Sequence, residues 1–177
     1  MHGHTAASLW RDYGSLLSLA PMKKLDIAAA PALTGSSYPP PYNAPVMARS
    51  RKRLGEAGGL TEFGVNLLTL PPGAWSSQRH WHSHEDEFVF VVEGEVTLVT
   101  DAGEETLIAG DCAAFKAGEA DGHHLVNRSA RDALVLEVGN NDPPRDRCVY
   151  PDADMIAEAG EDHYRRRNGE AYPKVQR

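Results

Sequence analysis

From about residue 46 to residue 140, short apolar runs recur between turn signals: "VMARSRKRL", "TEFGVNLLTL", "EFVFVV", "EVTLVT", "ETLIAG", "CAAF", "HHLVN" and "ALVLEV". Closely spaced short runs of this kind predict strands, and their even spacing predicts an all-β sandwich or barrel. The turns support this, since "LPPGAW" is a Pro-Pro-Gly break, "VEGEV" is a hairpin pivoting on Gly94, and "TDAGE" and "IAGDC" are further glycine turns. In "EFVFVV" both parities are apolar, with Phe88, Phe90 and Val92 on one side and Val89 and Val91 on the other. Such a strand is expected to be buried twice, by the barrel interior and by a second layer or subunit.

The flanks read differently. Residues 31 to 45, "PALTGSSYPPPYNAP", hold too many prolines for a helix or a central strand, so residues 22–45 are expected to form an extended arm. Residues 141–177 read as an irregular tail packing on the barrel, with one short helical turn. Residues 1–21 read as a disordered leader, a vector remnant or an overextended start, because a second methionine opens "MKKLDIAAA" at Met22.

Composition narrows the functional classes. A chain of 177 residues suits one domain with appendages. A net charge of -7 argues against nucleic-acid binding despite the basic cluster "RSRKR" at 49 to 53. No apolar run reaches the roughly 18 to 20 residues of a membrane span. Two cysteines, Cys112 and Cys148, are too few for a disulfide scaffold and point to reduced thiols in the cytoplasm. Cys112 is expected to be a small buried hydrophobe.

The candidate chemistry lies in "RHWHSHEDEFVF", residues 79 to 90. In an extended segment His80, His82 and His84 share one face, while Trp81 points to the other and packs outside. Two imidazoles at i and i+2 can bind one metal ion. Glu87 opens the following strand and can join them as a ligand and candidate catalytic group, if an irregularity at "SHED" brings it round. A fourth donor is expected from "GHHLVN", as His123 or His124. Glu85 and Asp86 read as solvated turn acids, and His84 as a surface or supporting histidine. The pair His2 and His4 in "MHGHT" leads into no strand, so His-x-His alone proves little.

These residues resemble the cupin family. The first cupin motif, His-x-His, four residues, Glu, six residues, Gly, is met by His80, His82, Glu87 and Gly94, with Gly73 one residue further upstream than usual. The second is met by Gly110, Gly118, His123 and Asn127, with Lys116 where proline is expected and a loop two residues longer before the histidine. The spacing to Asn127 favours His123 over His124. The stretches "PPGAWSSQRHWHSHEDEFVFVVEGE" and "YPDAD" are similar to a bacterial group of small single-domain cupins. The resemblance, over about residues 65 to 140, implies a double-stranded β-helix, a jelly-roll barrel at 46–140. It also implies His80, His82, Glu87 and His123 as ligands of one divalent transition metal.

Three imidazoles and a carboxylate suit Fe, Mn, Ni, Co or Zn alike. The expected function is a metal-dependent small-molecule enzyme of the dioxygenase, isomerase or lyase type, on a partly apolar compound that fits among Val89, Val91 and Phe115. The alternative is a non-catalytic cupin that binds a small ligand or sugar. A homodimer packed sheet to sheet is expected, with each arm on its partner.

Overall fold

The computed structural model describes residues 24–140 and 142–175, so the leader expected at 1–21 lies outside the described residues. The strands are β1 (Ala32–Thr34), β2 (Ser50–Arg53), β3 (Phe63–Leu70), β4 (Trp81–His82), β5 (Glu87–Glu93), β6 (Glu95–Thr100), β7 (Gly103–Ile108), β8 (Cys112–Phe115), β9 (His124–Val126), β10 (Ala133–Asn140), β11 (Cys148–Tyr150), β12 (Met155–Ala157) and β13 (Tyr164–Arg165). The one α-helix among the described residues, α1 (Leu54–Ala57), is a single turn after β2, and a 3-10 turn spans Ala44–Val46. No described helix is long and apolar enough to cross a membrane.

Strands β1-β2-β3-β10-β5-β8 form one antiparallel sheet and β7-β6-β9 another. Leu68, Leu70, Val89, Val91 and Val135 from the first meet Val96, Leu98, Leu107 and Leu125 from the second in one core. This is the all-β barrel that the recurring apolar runs predict, in the double-stranded β-helix form that the resemblance implies, closed by burying one parity of the strands. Fully burying each such aliphatic side chain contributes about 1.5–3 kcal/mol. Gly94 joins β5 to β6 at φ +78°, where a side chain would also meet the Asp132 carbonyl.

The other parity of the six-stranded sheet is not covered within one chain. Phe88, Phe90 and Val92 are 39%, 37% and 45% exposed, and half-buried Val65, Leu67, Leu136 and Val138 lie beside them. Val92 is the extra residue of a bulge opposite Leu134 and Val135. Cys112 shares this outer parity because Ala113 and Phe115 turn inward, so it is exposed, not buried as expected.

The tail carries more order than an irregular reading allows. Strands β11, β12 and β13 form a four-stranded sheet with β4, order β13-β12-β11-β4. Tyr150, Ala153 and Met155 build a second core with Tyr38 and Val46. The arm packs on its own chain's tail, with Tyr38 stacked edge-on to Tyr150 at 5.5 Å. Its proline content still confines it to the sheet edge, where β1 pairs only with β2.

Candidate metal centre and its cavity

Two short pairings set the site. His80 and His123 face each other in an isolated antiparallel bridge, and His82 pairs with Cys148 of the tail. The backbone between His82 and Glu87 leaves the strand, which is the irregularity that turns Glu87 toward the imidazoles. The Glu87 Oε2 atom then lies 2.8 Å from His123 Nε2, 3.6 Å from His80 Nε2 and 3.6 Å from His82 Nε2.

Each imidazole is held from behind. His80 Nδ1 lies 3.0 Å from the Gln78 carbonyl and 3.2 Å from Ser77 Oγ, His82 Nδ1 lies 2.5 Å from the Asp146 carboxylate, and His123 Nδ1 lies 3.4 Å from the Asp121 carbonyl. A ring that donates through Nδ1 presents a lone pair at Nε2. Without a metal, His123 Nε2 donates to Glu87 Oε2; with the Nε2 atoms deprotonated, the three imidazoles and the carboxylate would offer four lone pairs to one cation. Donors held roughly 2.0–2.2 Å from one ion stand about 3 Å apart, so the donor set fits a divalent metal. Ligand atoms of His80, Glu87 and His123 lie within 4.8 Å of one another, and His82 joins two adjoining groups, with His80 and Cys148 and with Glu85 and Asp146.

The electrostatics follow from burial and these bonds. Burial drives the His80 imidazole down to about 3, which keeps it neutral. Burial works against charge on His82 as well, but the hydrogen bonds to Asp146 and Cys148 outweigh it and carry the group up to about 11. Glu87 is pulled down to about 2, because the His123 hydrogen bond and the three imidazoles outweigh its burial. Burial raises Glu85 to about 7.

The remaining histidines are placed elsewhere. His84 is exposed, with Nδ1 2.9 Å from Ser83 Oγ. His124 points away from its neighbour, packing edge-on to Trp75 with Nδ1 3.0 Å from the Ser77 carbonyl. Asp86 is the exposed turn acid expected, accepting the Ala117 N–H at 2.8 Å. Glu85 is not. Its carboxylate is half-buried, lines the cavity and lies 3.8 Å from His82 Nδ1, over Gly139, where a Cβ would stand 2.7 Å from Glu85 Oε1.

The cavity measures about 240 Å³ and is lined by His80, Glu85, Glu87 and His123, with Phe115 stacked on His123 at 3.5 Å. Val89 and Phe115 are on its wall as expected, whereas Val91 belongs to the core. The wall is more polar than the sequence suggested, because Arg51, Asn66, Ser77 and Glu137 also line it. Asn66 and Glu137 carried a signal: each is a lone polar residue at the inward parity of an apolar strand, beside Leu68 and Val135. Arg51 was hidden in a basic run, and Asp146 and Cys148 in an apparent loop.

Comparison with known proteins agrees with this architecture. The Cupin domain family matches residues 66–139. A cupin-superfamily sugar phosphate isomerase from Silicibacter pomeroyi DSS-3 is 44% identical, with 87% of this chain and 100% of that chain covered and a TM-score of 0.80. A protein from Acidithiobacillus ferrooxidans ATCC 23270 named as a candidate sugar phosphate isomerase is 29% identical, covering 73% of this chain and 81% of that one, TM-score 0.59. The polyketide cyclase RemF from Streptomyces resistomycificus, 18% identical over 68% of this chain and 80% of its own at a TM-score of 0.53, shares the fold alone. Among curated proteins none matches the chain. With its barrel, both motifs and a full-length relative at 44% identity, the chain belongs to the cupin superfamily.

Proposed function

We propose that this protein is a metal-dependent isomerase that shifts a proton between adjacent carbons of a small hydroxy-carbonyl compound. The observation that carries the reading is the set of three Nε2 atoms around Glu87 Oε2, opening on a cavity that holds a second carboxylate, Glu85. His80, His82, Glu87 and His123 would hold one divalent ion of the Fe, Mn, Ni, Co or Zn group, which supplies Lewis acidity toward substrate oxygens when bound. Glu85 serves as the proton carrier. It takes the proton from the carbon bearing the hydroxyl, leaving an enediolate, and returns it to the former carbonyl carbon while the hydroxyl proton passes between the two oxygens. Atoms and electrons balance without a co-reactant. Phe115 and Val89 keep bulk water from the reacting carbons. The names of the two similar proteins from Silicibacter and Acidithiobacillus support an isomerase over a dioxygenase or lyase.

The test is exchange of the α-carbon hydrogen with deuterated solvent, together with aldose–ketose interconversion, on protein loaded in turn with each metal. Glu85→Gln is expected to abolish exchange while metal content stays unchanged. Oxygen uptake in place of exchange would favour a dioxygenase. Binding without any turnover would favour the non-catalytic sugar-binding alternative.

We also propose that the protein works as a homodimer in the cytoplasm, where unpaired thiols stay reduced. The outer face of strands β3, β10, β5 and β8 carries apolar residues and no charge across Val65, Leu67, Leu136, Val138, Phe88 and Phe90. Strand spacing and rise give this flat face an extent of several hundred Å², on the order of the patches that mark interfaces. A second copy offers a face of the same shape and polarity, with exposed Phe63 beside Phe88 and Val138 at its edge.

A further inference from the structure

The cavity has a second polar wall that the proton transfer does not use. Arg51 of β2, Asn66 of β3 and Glu137 of β10 line it from neighbouring strands, with Asn66 paired in register to Glu137. Arg51 Nε donates to Glu137 Oε2 at 2.6 Å, and Nη2 donates to Glu137 Oε1 at 2.8 Å and to the Ser76 carbonyl at 2.9 Å. Among the described residues Arg51 Nη1 has no hydrogen-bond partner, and neither has the Asn66 side-chain amide. Both groups open onto the cavity, so they are available to bond whatever fills it, water or ligand.

The chemistry of that partner follows from the charges. Arg51 and Glu137 neutralise each other through a two-point pair, so this wall carries no net charge to attract an anion. What remains is a set of donors on Arg51 Nη1, free lone pairs on the Glu137 carboxylate, and an amide that both donates and accepts. Adjacent hydroxyls need that combination, since each donates one hydrogen bond and accepts others.

We infer that Arg51, Asn66 and Glu137 form a subsite that reads vicinal hydroxyls of an uncharged polyol segment, so the substrate is a polyhydroxylated carbonyl compound whose carbon chain enters the barrel without a phosphate. The inference rests on the isomerase reading for the reacting end of the molecule. The subsite assigns the other end. It also separates this chain's substrate from a phosphate ester bound by its phosphate in the barrel.

The experiment is calorimetric titration of the metal-loaded full chain with a free pentose or hexose, with the analogue lacking the distal vicinal hydroxyls, and with the phosphate monoester. Two variants are carried alongside: Asn66→Leu, and the double change Arg51→Met with Glu137→Leu, which replaces the ion pair by apolar groups and avoids stranding one charge. The free sugar is expected to bind about ten-fold or more tightly than its deoxy analogue, a factor of the size carried by hydrogen bonds to charged groups. Asn66→Leu should narrow that ratio and the double variant should erase it, with metal content unchanged in both. Equal binding of sugar and deoxy analogue would overturn the inference. So would tighter binding of the phosphate ester that the double variant abolishes, because the wall would then be an anion site. Discriminating binding without isomerisation would remove the isomerase reading and leave the subsite, while isomerisation indifferent to the distal hydroxyls would do the reverse.

Discussion

The Nδ1 atom of His82 lies 2.5 Å from the carboxylate of Asp146, a residue 64 positions further along the chain. Asp146 also accepts the backbone N–H of His84 at 2.9 Å, so the segment before β11 holds both the ring and the turn that follows it. The tail is therefore part of the candidate centre. A carboxylate behind a ligating imidazole fixes its tautomer and raises its basicity.

Asp146→Asn is accordingly expected to weaken metal binding by about 10- to 100-fold while the barrel remains folded. Competition against a graded chelator measures the affinity, and circular dichroism of the metal-free protein checks the fold. Unchanged affinity would mean that His82 is not a ligand.

Glu87→Gln keeps the size of the side chain and removes the charge that three imidazoles surround. Metal content after dialysis should fall and isomerisation should fall with it, by more than thermal stability does. The decisive comparison is His84→Ala, whose ring is exposed and outside the cluster. That variant should retain metal and activity.

Two glycines should respond in opposite ways. At Gly94 a Cβ would sit 2.8 Å from the Asp132 carbonyl at φ +78°, so Gly94→Ala should cost about 1–3 kcal/mol in urea unfolding. At Gly139 the nearest atom is the end of the Glu85 side chain, 2.7 Å away. Gly139→Ala should displace that carboxylate, slowing solvent deuterium exchange more than it lowers stability.

Phe90→Asp sets a charge at the centre of the open apolar face. Light scattering should give a dimer for the intact chain and a monomer for the variant, with cavity and metal content preserved. A monomer in both would remove the proposed interface.

Arg79 ties the tail to the barrel. Its guanidinium pairs with Asp152 in the β11–β12 turn at 2.6 and 2.8 Å and with Asp101 in the β6–β7 turn. The Arg79 hydrogen bond holds the Asp152 carboxyl below its ordinary 3.8. A carboxyl lowered on folding stabilises the native state above its unfolded value, and that contribution is lost as pH falls through the folded one. Asp152 is 58% exposed, so solvent screening limits the gain to under about 1 kcal/mol. Asp152→Asn should thus be slightly less stable than wild type near neutral pH, and the gap should close below about pH 3.8 in pH-dependent urea unfolding.

The sequence by itself determined the barrel and the approximate place of its chemistry. Alternation in "TEFGVNLLTL" and "ALVLEVGN" decides which parity is buried, because a one-residue slip would expose Leu68, Leu70 and Val135 together. Strand parity puts His80 and His82 on one face by local geometry, and the resemblance to the two cupin motifs implies Glu87 and His123 beside them. Tertiary structure decided what surrounds them. Asp146 and Cys148 reach His82 only because β11 pairs with β4, a contact between segments more than 60 residues apart that no local pattern encodes. Arg51 belongs to a basic run that reads as surface, and its inward turn depends on Glu137 across two strands. Glu85 stands in a turn whose direction is set by Gly139 opening space in β10. Side-chain periodicity is a property of one strand, whereas a neighbour across a sheet or under a strap is fixed only when the whole chain closes its core.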